Sequence, residues 1–323
     1  MVTRNFKRNI RVTCWRETIP KDATKFQVSR YPDSIEITDL RVQFTVKKDH
    51  SKHPNSCDIT ITNLAERTRA NLETKPLLVQ LEAGYDDVYR FMYSGDLRFG
   101  MTKLDGPNWE TLLQLGDGDN HYRWSRMNKS YGSGSSVRQI LTDAAGSMGM
   151  ELPANIKNDP ALDAKFNYGR VASGPVRDKL TQLLYPYGYT WSIQNGKLRI
   201  LREDQVHTGT PYPIDEEHGM IGTPEFGSPP KSGKPPHMTV KMLLYPDINP
   251  GDSVEVTSKV KSGLFKVETV THTGDTHGEA WNTELEIKPI PKKATSRGSK
   301  TVTEENIRAF AGASASATGG AEI

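Results

Sequence analysis

The chain has 323 residues, 35% of them apolar, a mean hydropathy of -0.62 and a formal net charge of +3. That length implies two or three domains, and the low apolar content implies lean cores, which suits small domains stabilised in part by contact with partners. No apolar run is long enough for a membrane-spanning helix, the near-balanced charge gives no ground for tight nucleic-acid binding, and two cysteines exclude a disulfide framework or a four-cysteine zinc site.

The start, MVTRNFKRNI, has no apolar stretch behind its charges, so no secretory signal is expected. Cys14 and Cys57 as the only cysteines fit synthesis in a reducing cytoplasm. From Ser34 to Val46 the residues SIEITDLRVQFTV are β-forming, and CDITITNL alternates Ile59 and Ile61 with polar neighbours. LAERTRANLE then reads as a short helix, with Asn63 as its N-cap, Glu66 completing a capping box and Pro76 stopping it. LLVQLEAGY resumes as a strand ending at Gly84. YRFMYSGDLRFGMTKLDG and WETLLQLGDGDNHYRW read as further strands with Gly-Asp and Asp-Gly turns. Many short strands with frequent turns point to a sandwich or barrel.

The period then changes. Val137, Ile140, Leu141, Ala144 and Met148 form the stripe of an amphipathic helix that Ser135 or Ser136 can cap, and Val176, Leu180, Leu183, Leu184 and Tyr187 form a second. The two segments share VR, then LT, then a glycine, at similar spacing. In YTWSIQNGKLRIL, Asn195-Gly196 between alternating apolar residues marks a β-hairpin. Residues 130–203 therefore read as a small α/β domain between β-rich domains at 1–129 and 204–290. GMIGTPEFGSPPKSGKPPH, residues 219–237, is dense in Pro and Gly and reads as a long loop. MTVKMLLYP, DSVEVTS, LFKVETVTHTGD and WNTELEIKPI return to β-structure. The tail 291–323 is low in bulky apolar residues and reads as mobile or ordered by a partner.

Candidate chemistry concentrates in THTGDTHGEAWNT, where His272, Asp275, His277 and Glu279 fall within eight residues. A helical H-x-x-x-H pair would put two imidazoles on one face for zinc, but this spacing is one longer and the flanks are strands. Trp281, Thr283, Leu285 and Ile287 alternate with Asn282, Glu284, Glu286 and Lys288, so Thr273 to Ala280 reads as an exposed hairpin loop rather than a rigid site. YGSGSSVRQI offers a Gly-rich turn before a helix, yet lacks the GK[ST] of a phosphate loop. The acid pairs Asp86-Asp87, Glu216-Glu217 and Glu304-Glu305 read as solvated surface, and no G-x-S-x-G elbow occurs. Cys14 and Cys57 lie in expected strands and read as packing residues. The ring-rich YPYGYTW, from Tyr185 to Trp191, reads as core packing or as an interface anchor. These readings assign no catalytic residue, no metal ligand and no cofactor.

The order of these segments resembles the tail hub proteins of bacteriophages, the late control protein D family, and the related amino-terminal region of VgrG spikes in type VI secretion. Three places carry the resemblance. One is ITNLAERTRANLETKPLLVQLEAGYDD followed by MYSGDL, with a Ser-Gly-Asp turn. The second is the pair of VR helices with WSIQNGKLRIL. The third is GMIGTPEF, MLLYPDINPGDSVEVTS and GLFKVETVTHTGDTHGEAWNTELEI, with a Leu-x-x-Pro, a Pro-Gly-Asp turn and a Val-x-His-x-Gly-Asp hairpin. Together they cover most of residues 35 to 290, and their order is more specific than any one motif.

The resemblance implies a mainly β (α+β) chain: two tail-tube-like β-barrel domains with the small α/β domain inserted between them. It implies a homotrimer whose six similar barrels match a sixfold tail tube above, with a threefold spike below. The implied partners are a tail tube or distal tail protein, a spike protein and a tape-measure protein, with DNA only in passage through the lumen. The implied location is the virion tail baseplate or tip, after assembly in the host cytoplasm, with no membrane insertion by the chain itself. Two other readings stay open: a cell-wall (peptidoglycan) hydrolase of the tail tip, and a carbohydrate-binding tail protein that stacks sugars on Tyr185–Trp191.

Overall fold

Alternating β-forming segments dominate the sequence, and the computed structural model, which describes residues 7–15, 34–72, 78–86, 88–202, 205–207, 210–227 and 237–290, is 51% strand and 18% helix. The first region contains β1 (Arg8–Trp15), β2 (Ile35–Ile37), β3 (Val42–Asp49), β4 (Ser56–Thr62), α1 (Glu66–Leu72), β5 (Leu78–Tyr85), β6 (Arg90–Asp105) and β7 (Asn108–Gly116). The middle contains α2 (Asp119–Trp124), β8 (Arg126–Tyr131), α3 (Val137–Ser147), α4 (Ala154–Lys157), β9 (Arg170–Pro175), α5 (Val176–Leu184), β10 (Tyr189–Gln194) and β11 (Lys197–Arg202). The last contains β12 (Tyr212–Ile214), β13 (Met220–Phe226), β14 (Met238–Leu243), β15 (Ser253–Val256), β16 (Gly263–Asp275) and β17 (Trp281–Pro289).

Strand pairing joins the first and last regions into one 13-stranded sheet, ordered β13-β14-β17-β16-β3-β4-β7-β6-β5-β1-β2, with β15 on β16 and β12 on β15. Every pairing is antiparallel except β12 with β15. The sheet is not closed into a barrel, so two separately closed barrels are not what the strand pairing shows. β16 connects the regions. Its first residues pair with β15 and Thr269–Asp275 pair with β3, while β17 runs along its other edge. A register shift between Val267 and Thr269 marks the handover. Two apolar cores flank this seam. One gathers Val12, Phe44, Ile59, Leu81 and Leu113 with Leu244 and Trp281, and the other gathers Val240, Val254, Val267, Leu285 and Ile287.

A third core belongs to the α/β segment, where α3 and α5 pack together over β8–β9 and β10–β11. Val137, Ile140, Leu141 and Ala144, and Val176, Leu180 and Leu184, are buried as their spacing requires. Ser136 is the cap of α3 and accepts from the Gln139 amide at 3.2 Å. The likeness of the two helices extends to Thr142 and Thr181, whose hydroxyls each donate to the arginine carbonyl four residues back at 2.9 Å. Asn195 and Gly196, at φ 54° and 72°, form the two-residue turn that twist-matched hairpins favour.

Several sequence expectations are corrected. The Ser34–Val46 strand is broken at Asp39, which has φ 57°. Asn63 is not a helix cap: it sits at φ 58°, its side-chain Oδ1 accepts from the Trp109 amide at 2.9 Å, and α1 begins at Glu66. Gly95-Asp96 is not a turn, because β6 runs through it. Gly95 is there for close approach, since a Cβ would stand 2.8 Å from the Gly116 carbonyl oxygen. Asp119–Trp124 is helical, too short to show a period. The expected 219–237 loop contains β13, an edge strand where Pro224 removes no needed ladder bond; the remainder, 228–236, lies outside the described residues. Pro76, Asp87, Glu304-Glu305 and the 291–323 tail also lie outside them.

Candidate functional site: a locked hairpin, a buried junction and an exposed apolar ribbon

His272 sits within the sheet, fully buried, its Nδ1 2.9 Å from the Thr283 hydroxyl on the facing strand. Burial, helped by the Lys48 charge, holds its pKa well below the usual imidazole value, so it is neutral. His277 is exposed on the turn, and the two histidines do not form a pair. The tip is not the free loop expected between Thr273 and Ala280, because β16 continues to Asp275 and the turn is docked. The Asp275 carboxylate, 7% exposed, accepts from Arg41 Nε at 3.2 Å and Nη2 at 2.7 Å, Gln43 Nε2 at 3.0 Å and the His277 amide at 2.9 Å. Those donors, Arg41 foremost, hold its pKa well below the carboxylate range. Arg8 on β1 donates to the carbonyls of Asp275 and Glu279 at 3.0 and 3.2 Å and to that of Gly278, and lies 5.6 Å over the Trp281 ring. Trp281, Thr283, Leu285 and Ile287 are buried, as their alternation predicts.

The other sequence candidates are occupied structurally. The Gly-rich turn before α3 bonds across to residue 166, with Gly134 N to Phe166 O at 2.8 Å and Phe166 N to Ser135 O at 3.0 Å. Cys14 and Cys57 are buried, the first thiol pushed up to about 12 and the second well above its ordinary value. In the ring cluster Tyr189 and Trp191 belong to the α/β core, Trp191 donating to the Thr181 hydroxyl at 3.0 Å, and Tyr185 is exposed. Trp191, 3% exposed, has no face for a sugar. Glu216 and Glu217 are exposed in a turn. Among the described residues no group of three or more His, Cys, Asp or Glu is placed to hold a metal.

A buried polar junction has no counterpart in the sequence reading. Asp117, fully buried after β7, accepts from the amides of Asn195 and Gly196 at 2.5 and 2.8 Å, which seats the β10–β11 turn. Asn55 donates to Gln194 Oε1 at 2.8 Å and accepts from the Asp49 amide at 3.0 Å, while Gln194 donates to the Asp49 carbonyl at 2.7 Å. Lys48 donates to Asn249 Oδ1 at 3.0 Å, and the Asn249 amide is held by Asp252 at 2.9 Å. All three regions meet here. Burial raises Asp117 to about 6 and lowers Lys48 to about 8, and each charge offsets the other's shift, so both are ionised between those values.

An exposed apolar feature is the outer part of the β6–β7 hairpin. Phe99, Met101, Leu104 and Trp109 are 45%, 40%, 59% and 41% exposed. Phe99, Met101 and Lys103 share one face with Gln114, Leu112 and Glu110, Lys103 lying 3.2 Å from Glu110, while the pair Leu104 and Trp109 lies on the other face. The outer part of the hairpin thus carries exposed apolar side chains on both faces, which leaves apolar surface available for contact.

No protein-family model and no curated protein sequence matches the chain. The fold does match solved structures. The 43 kDa tail protein of prophage MuSo2 from Shewanella oneidensis superposes with a TM-score of 0.57 at 9% identity, over 79% of this chain and 94% of that one. The tail protein from Neisseria meningitidis MC58 gives 0.55 at 12% identity, over 87% and 96%. The E. coli c3393 protein, a type VI secretion component with structural similarity to the T4 bacteriophage tail proteins gp27 and gp5, gives 0.52 at 12% identity, over 82% and 77%. At these identities the shared property is the fold.

Proposed function

We propose that this chain is a structural protein of a phage tail: the hub of a baseplate or tail tip, acting as a homotrimer. In this reading the regions 1–129 and 204–290 are the two tube-like domains and 130–203 the inserted α/β domain. Six such domains in a trimer would meet a sixfold tail tube or distal tail protein, and the threefold axis would carry the spike. The ring would enclose a DNA passage, with the tape-measure protein as a further neighbour. The work is geometric and involves no covalent chemistry. Its place is the virion tail, reached by assembly in the host cytoplasm.

The observation that carries the reading is the fold likeness to tail proteins over nearly their whole length. The apolar β6–β7 strip supports it, because ring closure by repeated heterologous contacts needs such a surface on each copy. The test is the mass of the purified chain in solution, alone and with its tube and spike neighbours, followed by imaging for a central hole. A trimer with a hole is expected. A strict monomer beside both neighbours overturns the proposal.

A further inference from the structure

A cleft of about 460 Å³ opens where the loop at His53 and Pro54, β6, α2 and α5 meet. Its walls bring together Arg98, Arg123 and Arg177, with Asp119 as the only carboxylate. Asp119 is 6% exposed and grips two of the three: Arg98 Nη2 and Arg123 Nε each lie 2.7 Å from it. Arg98 lies flat across Gly116, where a Cβ would come within 2.3 Å of its Nε. Arg177 sits 5.1 Å over the Tyr122 ring and donates to the Tyr122 carbonyl at 3.4 Å. Each guanidinium is therefore oriented by the fold. Arg177 Nε also lies 3.8 Å from Asp178, so three guanidiniums stand against two carboxylates and leave a surplus of one positive charge, which a bound anion would relieve.

We propose that this cleft receives the carboxylate side chains of an acidic protein segment from a neighbouring chain. Guanidinium forks match planar carboxylates, and Arg123 and Arg177 keep donors beyond those engaged in the fold. At about 460 Å³ the cleft has room for an acidic side chain and its neighbours beside a bound carboxylate. Pro54 and the Tyr122 ring supply apolar wall for the stems of the acidic residues. The site goes beyond the hub reading and stands whether or not the chain is a trimer.

The test is calorimetric titration of the full chain at low salt with hexaglutamate, its glutamine analogue and inorganic phosphate. The expected result is saturable binding of hexaglutamate at one site per chain, none by the glutamine peptide, and weaker binding of phosphate. Arg123→Gln combined with Arg177→Gln should weaken hexaglutamate at least about tenfold with the thermal midpoint retained, and Arg177→Gln alone should weaken it less. Absence of hexaglutamate binding, or equal binding by the folded variants, overturns the proposal. Phosphate binding as tight as hexaglutamate would overturn the carboxylate assignment and make the cleft a phosphate site.

Discussion

Replacing Asp275 with asparagine keeps its shape and removes its charge. The wild-type carboxylate takes four hydrogen bonds, two of them from Arg41, whose side chain is 45% exposed. Water can repay Arg41, so its share is discounted. The Gln43 amide and the His277 backbone N–H lose a charged acceptor in a site with little solvent. Charged hydrogen bonds contribute about 1.5–3 kcal/mol each against about 1 for neutral ones, so Asp275→Asn should cost about 2 kcal/mol. At roughly 2–4 °C per kcal/mol the thermal midpoint should fall by about 6 °C. The pH dependence fixes the cause. Asp275 has its pKa depressed in the fold, chiefly by Arg41, so its stabilisation is complete above the unfolded carboxyl value of about 3.9 and is lost as pH falls through the folded one. Urea unfolding of both proteins should therefore show a gap that is widest near about pH 6 and narrows steadily below about pH 4. A gap under about 0.5 kcal/mol at neutral pH, or one that persists unchanged into acid, refutes the locked hairpin.

Other outcomes follow from the same geometry. Lys48 is fully buried with its pKa lowered from 10.5 to about 8, so the folded state sheds its proton first, and stability should rise with pH between those values by up to about 3 kcal/mol. Lys48→Met should abolish that rise in urea titrations, and a flat wild-type profile would contradict the junction as described. Met101→Glu with Phe99→Glu should lower the mass measured by light scattering while leaving the thermal midpoint of the isolated chain within about 1 °C, since both side chains are exposed. Retention of the assembly would remove the β6–β7 strip from the interface. Both thiols should resist a maleimide in the folded protein and react after denaturation, because Cys14 and Cys57 are buried with raised pKa values. Labelling of the folded chain would show local opening of β1 or β4.

Local signals were legible wherever one segment carried its own pattern. Asn195-Gly196 specifies its turn through two residues that tolerate positive φ, and Trp281–Ile287 specifies its buried face through alternation alone. The α3 and α5 stripes are of the same kind. The junction was not legible, because its partners are distant in sequence: Asn55 and Gln194 are 139 residues apart, Lys48 and Asn249 are 201 apart, and polar pairing has no period. β13 was hidden by its Gly and Pro content, which an edge strand with a bulge accommodates. Alternation makes the hairpin at 271–283 legible as strand and turn, but not its burial. The residues that bury it, Arg8 and Arg41, lie more than 230 positions away.

The shared strand β16 bears on what such a chain can do. Seven register pairs join it to β3, from Thr269↔Asp49 to Asp275↔Gln43. At about 1 kcal/mol for each backbone hydrogen bond, separating the two β regions there would cost on the order of 7 kcal/mol before any apolar area is exposed. That is comparable to the whole stability of an ordinary domain, roughly 5–15 kcal/mol. Trp281 adds to it, since the strand that contributes Leu285 and Ile287 to one core anchors that ring in the other. Hinge motion between the β regions is thus as costly as unfolding. A seam without a cheap opening suits the proposed role, in which the chain holds its neighbours in register.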